Sequence, residues 1–182
     1  LVLPLFHVNA ICVSFLAPVL AGGQLTITGK FSPSRFFTDL HTLSPTYFSA
    51  VPTIFALLVS HPDVSAEAFE SLRLAICGAA PISKELLDHV ESTFGVPILQ
   101  GYGLTEASPL VSFNCPAAHK FGTAGRPIHG SRIRIADDGE VQYWGKNVMK
   151  GYWNQPEATE AAFDDGWLRT GDVGRLDEDG YL

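Results

Sequence analysis

Between Leu72 and Gln100 the chain alternates two periodicities, and that alternation restricts its fold more than any single motif does. Leu72 to Cys77 reads as a buried strand. Ser83 to Phe94 then puts Leu86, Leu87, Val90 and Phe94 on one helical face and Lys84, Glu85, Asp88 and Glu91 on the other. Gly95 stops that helix, and Val96 to Gln100 is a strand again. The same succession runs upstream. Ala10 to Leu20 is apolar almost all round, Gly22-Gly23 end it, and Gln24 to Thr28 follows as a short β-branched strand. Pro33 opens a helix over Ser34 to Leu43, Thr46 to Val51 is a strand, and Pro52 opens an apolar helix from Thr53 to Val59. Strands alternating with helices predict an α/β fold, a layered sheet with flanking helices whose ligands sit at the carboxyl ends of strands.

After Pro127 the period changes. Arg132 to Ile135 and Glu140 to Trp144 alternate about Asp137-Asp138-Gly139, a hairpin signal. Glu157 to Phe163 is a short helix after Pro156, and Val173 to Leu182 is expected as a second hairpin turned at Glu178-Asp179-Gly180. The division expected is an α/β part over 1–126 and a β-rich subdomain of the same domain, a distorted barrel, over 127–182.

A chain of 182 residues, 46% hydrophobic and 17% charged, buries a sizeable core and reads as globular. Its formal charge of −7, with 12 scattered basic residues, excludes a nucleic-acid-binding face, which needs clustered Lys and Arg. Cys12, Cys77 and Cys115 show no C-x-x-C spacing, so neither a disulfide framework nor a zinc site is expected, and thiols in a reducing, cytoplasmic setting are. The apolar run from Ala10 to Ala21 is too short for a transmembrane segment. Oligomeric state is left open by the sequence.

The densest chemistry lies in Gln100-Gly101-Tyr102-Gly103-Leu104-Thr105-Glu106-Ala107-Ser108. Gly101 and Gly103 permit close backbone approach and unusual φ/ψ, Tyr102 offers a flat face for a base, and Thr105 and Glu106 suit phosphate oxygens and a hard cation. The plainer alternative makes Tyr102 a strand-end aromatic over the core and Thr105-Glu106 a helix cap with a first-turn acid. Gly78-Ala79-Ala80, after the strand ending at Cys77, is either a wall for a flat ligand or a plain tight turn. Asp172, in Trp167-Leu168-Arg169-Thr170-Gly171-Asp172, is either an acceptor for ribose hydroxyls or a turn residue. His7, beside an apolar helix, reads by itself as a satisfied core or edge residue.

Taken together and in order, Pro4-Leu5-Phe6-His7, Gly78-Ala79-Ala80-Pro81, Gly101-Tyr102-Gly103-Leu104-Thr105-Glu106, Gly151-Tyr152-Trp153 and Arg169-Thr170-Gly171-Asp172 resemble the adenylate-forming (AMP-binding) superfamily of acyl-CoA synthetases, luciferases and peptide-synthetase adenylation domains. The resemblance implies the large amino-terminal domain of such an enzyme, with ATP, Mg²⁺ and coenzyme A as cofactors or co-substrates and a small carboxylic acid as substrate. By it, Tyr102 stacks on adenine and Gly78, Ala79 and Ala80 wall the base. Gln100, Gly101 and Gly103 complete the nucleotide loop. Thr105 binds phosphate oxygens, Glu106 holds Mg²⁺, Asp172 accepts both ribose hydroxyls, and His7 lies by the activated carboxylate. Thr105, Glu106 and His7 are the catalytic candidates.

The resemblance further implies a phosphate-gripping loop upstream, and a hinge and small domain with a Lys downstream of Leu182. With its opening on Leu1 in what reads as a strand or turn, the chain is expected to be a central fragment, nearly inactive alone. The motif wording is most similar to medium- or long-chain fatty acyl-CoA ligases. Aryl-acid (o-succinylbenzoate-type) ligases, a loading domain that passes the acyl group to a carrier protein, and a degenerate nucleotide-binding module are the alternatives.

Overall fold

The computed structural model describes residues 2–182; Leu1, expected in a strand or turn, lies outside them. The chain divides into two compact units, Leu1–Gln100 and Gly101–Leu182.

In the first unit, α2 (Pro33–Leu43) starts on Pro33, with the Ser32 hydroxyl accepting the Arg35 N–H and so meeting one of the donors a helix start leaves free. β1 (Tyr47–Ala50) leads into α3 (Pro52–Val59), and β2 (Leu74–Cys77) into α4 (Lys84–Phe94), capped by Ser83 and ended by Gly95 at φ +70°. β3 (Ile98–Gly103) follows. β1 pairs with β2, and β2 with the first residues of β3, both parallel. These strand–helix–strand crossovers realise the expected α/β class, and their carboxyl ends lie on one edge.

The core of this unit is aromatic. Phe36 and Phe37 of α2, Phe48 of β1, Phe55 of α3, Phe94 of α4 and Phe69, at the end of the 3₁₀ turn Ala66–Phe69, are all buried, and the Phe69 and Phe94 rings stack with centroids 3.8 Å apart. Phe94 also lies against Phe48 and Phe55. Leu87 and Val90 complete the buried face of α4, as its spacing predicted. The Cys77 thiol, 2% exposed, is pushed up to about 12 by burial alone.

The apolar run Ala10–Leu16 is helical but winds with the wider π spacing, and only Ala17–Leu20 (α1) is ordinary α-helix. The strand expected over 24–28 is absent. Gln24, Leu25, Thr26 and Thr28 line a cavity of about 350 Å³ together with Phe36 and Tyr47–Ser49, and Ile27 is left 56% exposed. β-branched composition alone does not make a strand.

In the second unit, Gly101–Gly103 of β3 pairs antiparallel with β4 (Leu110–Phe113), which pairs with β5 (Arg126–Pro127). The glycine motif was expected as a loop after a strand ending at Leu99 or Gln100; it is instead strand, because β4 gives its backbone partners. A second sheet has the order β6-β7-β9-β8, from β6 (Arg132–Ile135), β7 (Glu140–Trp144), β8 (Phe163–Asp164) and β9 (Trp167–Val173). The β6–β7 hairpin turns at Asp138-Gly139 as expected, with Gly139 at φ +89°. A hairpin that the sequence reading passed over joins β8 to β9 through Asp165-Gly166, both at positive φ. Between β7 and β8, α5 (Pro156–Ala161) supplies the short helix expected after Pro156. Around Tyr143, fully buried, pack Ala107, Val111 and Leu168.

The carboxy-terminal hairpin is not formed. Residues 177–181 make only a turn, with the Asp177 N–H donating to the Tyr181 carbonyl at 2.9 Å. Their side chains are engaged elsewhere: Lys120 bridges Asp177 and Asp179, Arg126 lies over the Tyr181 ring, and the Tyr181 hydroxyl donates to the Ala118 carbonyl. Pairing goes to the 115–126 loop, not between two arms of a hairpin.

Phe94→Ala is expected to destabilise the protein by about 3–5 kcal/mol in urea unfolding, because it empties the centre of the ring cluster. The Cys77 thiol, unreactive toward a disulfide reagent in the parent while exposed Cys115 reacts, becomes accessible at lower urea in the variant. A loss under about 1 kcal/mol contradicts this packing account.

Candidate functional site

Gly101 and Gly103 are glycine because other atoms of the chain come close, side chains at Gly101 and backbone at Gly103. A Cβ on Gly103 would stand 1.9 Å from the Pro109 carbonyl oxygen, and one on Gly101 would stand 2.8 Å from the Phe113 ring. Neither has a positive φ, so close approach is the reason and unusual φ/ψ is not. The register between β3 and β4 shifts at Tyr102/Gly103, which lets the strand turn into the single 3₁₀ turn Thr105–Ala107.

That turn presents Thr105 and Glu106. The cap position is Leu104, without a side-chain cap, so Thr105 does not cap the turn, while Glu106 does stand in its first turn as the plainer alternative expected. The Thr105 side chain is exposed and its hydroxyl has no protein partner among the described residues. The Glu106 Oε1 accepts the Tyr152 phenol at 2.9 Å.

Tyr102 lies on the strand just before. Its ring packs against the Tyr143 core, and its hydroxyl donates to the Asp172 Oδ2 at 2.5 Å, across seventy residues of sequence. Asp172 reaches that position through a bulge. Glu140 pairs with Val173 and Gln142 with Arg169, so Thr170, Gly171 and Asp172 stand opposite Val141 alone. Gly171 at φ +74° absorbs the bend. The bulge is tied down by Thr170 Oγ1 donating to the Val141 carbonyl at 2.7 Å, by the Gly171 N–H on Glu140 Oε1 at 3.0 Å, and by the Asp172 N–H on Thr170 Oγ1 at 3.2 Å. Burial first, and then the hydrogen bond to Asp172, hold the Tyr102 phenol far above the usual tyrosine range.

Asp172, Tyr102, Thr105 and Glu106 thus stand together in the second unit. Asp172 is exposed, with one oxygen engaged by Tyr102 and the other open. Since a carboxylate offers about four acceptor positions, a diol still finds room there.

The other candidates lie in the first unit. Gly78 follows β2 with its N–H on the Ala50 carbonyl at 3.3 Å; Ala79 is at φ +67°, and Ala79 and Ala80 are exposed. A Cβ on Gly78 would be 3.1 Å from Asn9 Nδ2, while Asn9 Oδ1 accepts the Ser49 hydroxyl at 3.0 Å. Asn9, which the sequence reading missed, therefore joins the carboxyl end of β1 to the glycine after β2. His7 is exposed, two residues earlier, beside the Phe6 ring. Gln100 has a buried Nε2 without a protein partner among the described residues, an orphan donor that costs about 1–3 kcal/mol unless water or a ligand meets it.

Tyr152, Asn147 and Glu140 were not singled out from sequence, although Tyr152 stands in a recognised motif. The partners that tie them to the site lie 31 to 46 residues away, beyond any local spacing rule.

Among the described residues no group of three His, Cys, Asp or Glu side chains could hold a metal, and no helix is long and apolar enough to cross a membrane. Glu106 alone offers a hard oxygen ligand, which fits Mg²⁺ carried on substrate phosphates and not a caged ion.

A raised phenol pKa stabilises the folded chain fully below about pH 10 and loses that contribution as pH climbs through the raised value. In an alkaline absorbance titration Tyr102 should ionise well after free tyrosine, and Tyr102→Phe should remove that late step. A parent protein with no late-ionising phenol contradicts the Tyr102–Asp172 bond.

Residues 1–153 match the family model of AMP-binding enzymes. The chain is 38% identical to a probable CoA ligase of Humulus lupulus, covering all of this chain and 37% of that protein. It is 36% identical to a long-chain-fatty-acid–CoA ligase of Yersinia pestis, covering 99% of this chain and 34% of that one. Among solved structures, apo MatB of Rhodopseudomonas palustris superposes with TM-score 0.92 at 29% identity, over 99% of this chain and 38% of its own. The o-succinylbenzoate CoA synthetase of Bacillus subtilis in complex with ATP and magnesium does so at 0.85 and 33%, over 100% and 39%. The chain thus spans under two-fifths of the length of these relatives, and on the strength of the family match it belongs to the AMP-binding enzymes.

Proposed function

We propose that the protein carrying this chain is an ATP-dependent, AMP-forming acyl-CoA ligase. The observation that carries the reading is the hydrogen bond from Tyr102 to Asp172 beside the Thr105–Ala107 turn, within a chain of this family. In the first half-reaction a carboxylate oxygen of the acid attacks the α-phosphorus of ATP and the bond to pyrophosphate breaks. In the second, the CoA thiol sulfur attacks the acyl carbon, its proton is lost and AMP leaves.

In this reading adenine stacks on the Tyr102 ring, Asp172 accepts the ribose hydroxyls through its open oxygen, and the unpartnered Thr105 hydroxyl donates to phosphate. Glu106 would hold Mg²⁺, which neutralises charge on the phosphate oxygens when bound. Gly78, Ala79 and Ala80, with no side chain beyond a methyl, wall the base; Gln100, through its orphan amide, completes the nucleotide contacts; His7 shapes the path to the activated carboxylate.

The acid we propose is a medium- or long-chain fatty acid, supported by the motif wording and by the relatives named for long-chain fatty acids. The tight β6–β7 turn and the likeness to an o-succinylbenzoate enzyme favour an aryl acid as second reading. Free thiols throughout are consistent with action in the cytoplasm.

The test is pyrophosphate release by the full-length protein with a panel of fatty and aryl acids, with and without CoA. Acid-dependent release is expected, and none with any acid contradicts the reading. Asp172→Ala should weaken ATP binding about tenfold or more, the loss expected for hydrogen bonds to a charged group, with the fold intact. Unchanged affinity removes Asp172 from the site.

A further inference from the structure

Glu106 sits on a turn too short to hold itself. A single 3₁₀ turn has poor hydrogen-bond geometry of its own, so its carboxylate is as well placed as the groups around it make it. Those groups come from one stretch of chain, residues 147–152, after the β6–β7 hairpin. The Met149 N–H donates to the Glu106 carbonyl at 2.7 Å. The Asn147 amide donates to the Ala107 carbonyl and, at 2.9 Å, to that of Leu110. Its Oδ1 accepts the phenol of fully buried Tyr143 at 2.8 Å, which anchors the clamp in the core.

The last member is Tyr152, whose phenol reaches the Glu106 Oε1. Tyr152 is itself held at the backbone. Its N–H donates to Thr159 Oγ1 at 2.9 Å, that hydroxyl donates to the Gln155 carbonyl at 2.8 Å, and the Gln155 N–H returns to the Tyr152 carbonyl at 3.2 Å. Gly151, at φ +147°, leaves room for this: a Cβ there would be 2.6 Å from Thr159 Cγ2. The Glu106 Oε2 has no protein partner among the described residues.

We propose that Tyr152 is a positioning residue that fixes the Glu106 carboxylate with one oxygen held and the other directed to the cation of Mg–ATP. This rests on the ligase reading of the same site. An exposed phenol–carboxylate bond contributes little to stability, and Tyr152 is 40% exposed. What it does supply is order, since a free glutamate side chain loses rotamer freedom when a ligand must fix it. The phenol of Tyr152 is raised above the usual tyrosine range, first by the hydrogen bond to Glu106, as a donor to a charged acceptor should be.

The experiment compares the full-length protein with its Tyr152→Phe variant by calorimetry with ATP alone and ATP plus Mg²⁺, by the Mg²⁺ dependence of pyrophosphate release, and by thermal melting. The variant should need about 3–10-fold more Mg²⁺ and lose a similar factor of Mg–ATP affinity, the range of one ordinary net hydrogen bond. Its affinity for ATP without metal and its melting temperature should match the parent's. An equal gain in ATP affinity from Mg²⁺ in both proteins overturns the proposal, and so does an equal loss with and without metal or a lowered melting temperature, which marks a merely structural tyrosine. Absence of pyrophosphate release in the parent counts against the ligase reading instead, while calorimetry still reads the Tyr152 effect.

Discussion

The bond between the Tyr102 phenol and the Asp172 carboxylate is the constraint on which the site in the second unit depends. It joins β3, which leaves a parallel arrangement to enter an antiparallel one, to a bulge on β9 in the second sheet. Neither strand presents its residue by regular pleating. Gly103 at the register shift frees β3 to turn beneath Tyr102, and Gly171 bends β9 until Asp172 faces it. Irregularities in both ladders, at matched places, bring an aromatic face, a carboxylate and a second acid within one neighbourhood.

Much of this was legible in the sequence, for stated physical reasons. The helices of the first unit carry their own start and stop signals, in Pro33, Pro52, Ser83 and Gly95, and their apolar faces follow helical spacing. Gly101, Tyr102 and Glu106 drew notice as a set because glycine, aromatic and acid in a short span suit a nucleotide; Asp172, seventy residues beyond Tyr102, stands in a separate segment that the family resemblance joined to them. The reason given for the glycines was partly mistaken. They make room for Pro109 and Phe113, and any close approach by a ligand comes in addition.

What was missed depends on partners distant in sequence. Gln24–Thr28 has strand composition but is not strand in the structure, because β propensity depends on context that composition does not report. The Gly-Tyr-Gly segment read as a loop because β4, its partner, is short and follows a turn with no hairpin dipeptide. The Asp165-Gly166 hairpin carried a sufficient local signal, and attending to it would have placed β9, and so Asp172, on a strand. Tyr152 and Asn147 had no such signal: their importance lies in whom they touch, 37 to 46 residues back.

The central claim is that Tyr102, Asp172 and Glu106 enclose one AMP moiety. A crystal structure of the full-length protein with AMP tests it most directly. The account predicts the adenine ring on the Tyr102 face, the ribose hydroxyls within hydrogen-bond distance of the Asp172 carboxylate, and the phosphate at Thr105. AMP bound elsewhere, with the ribose away from Asp172, would contradict it.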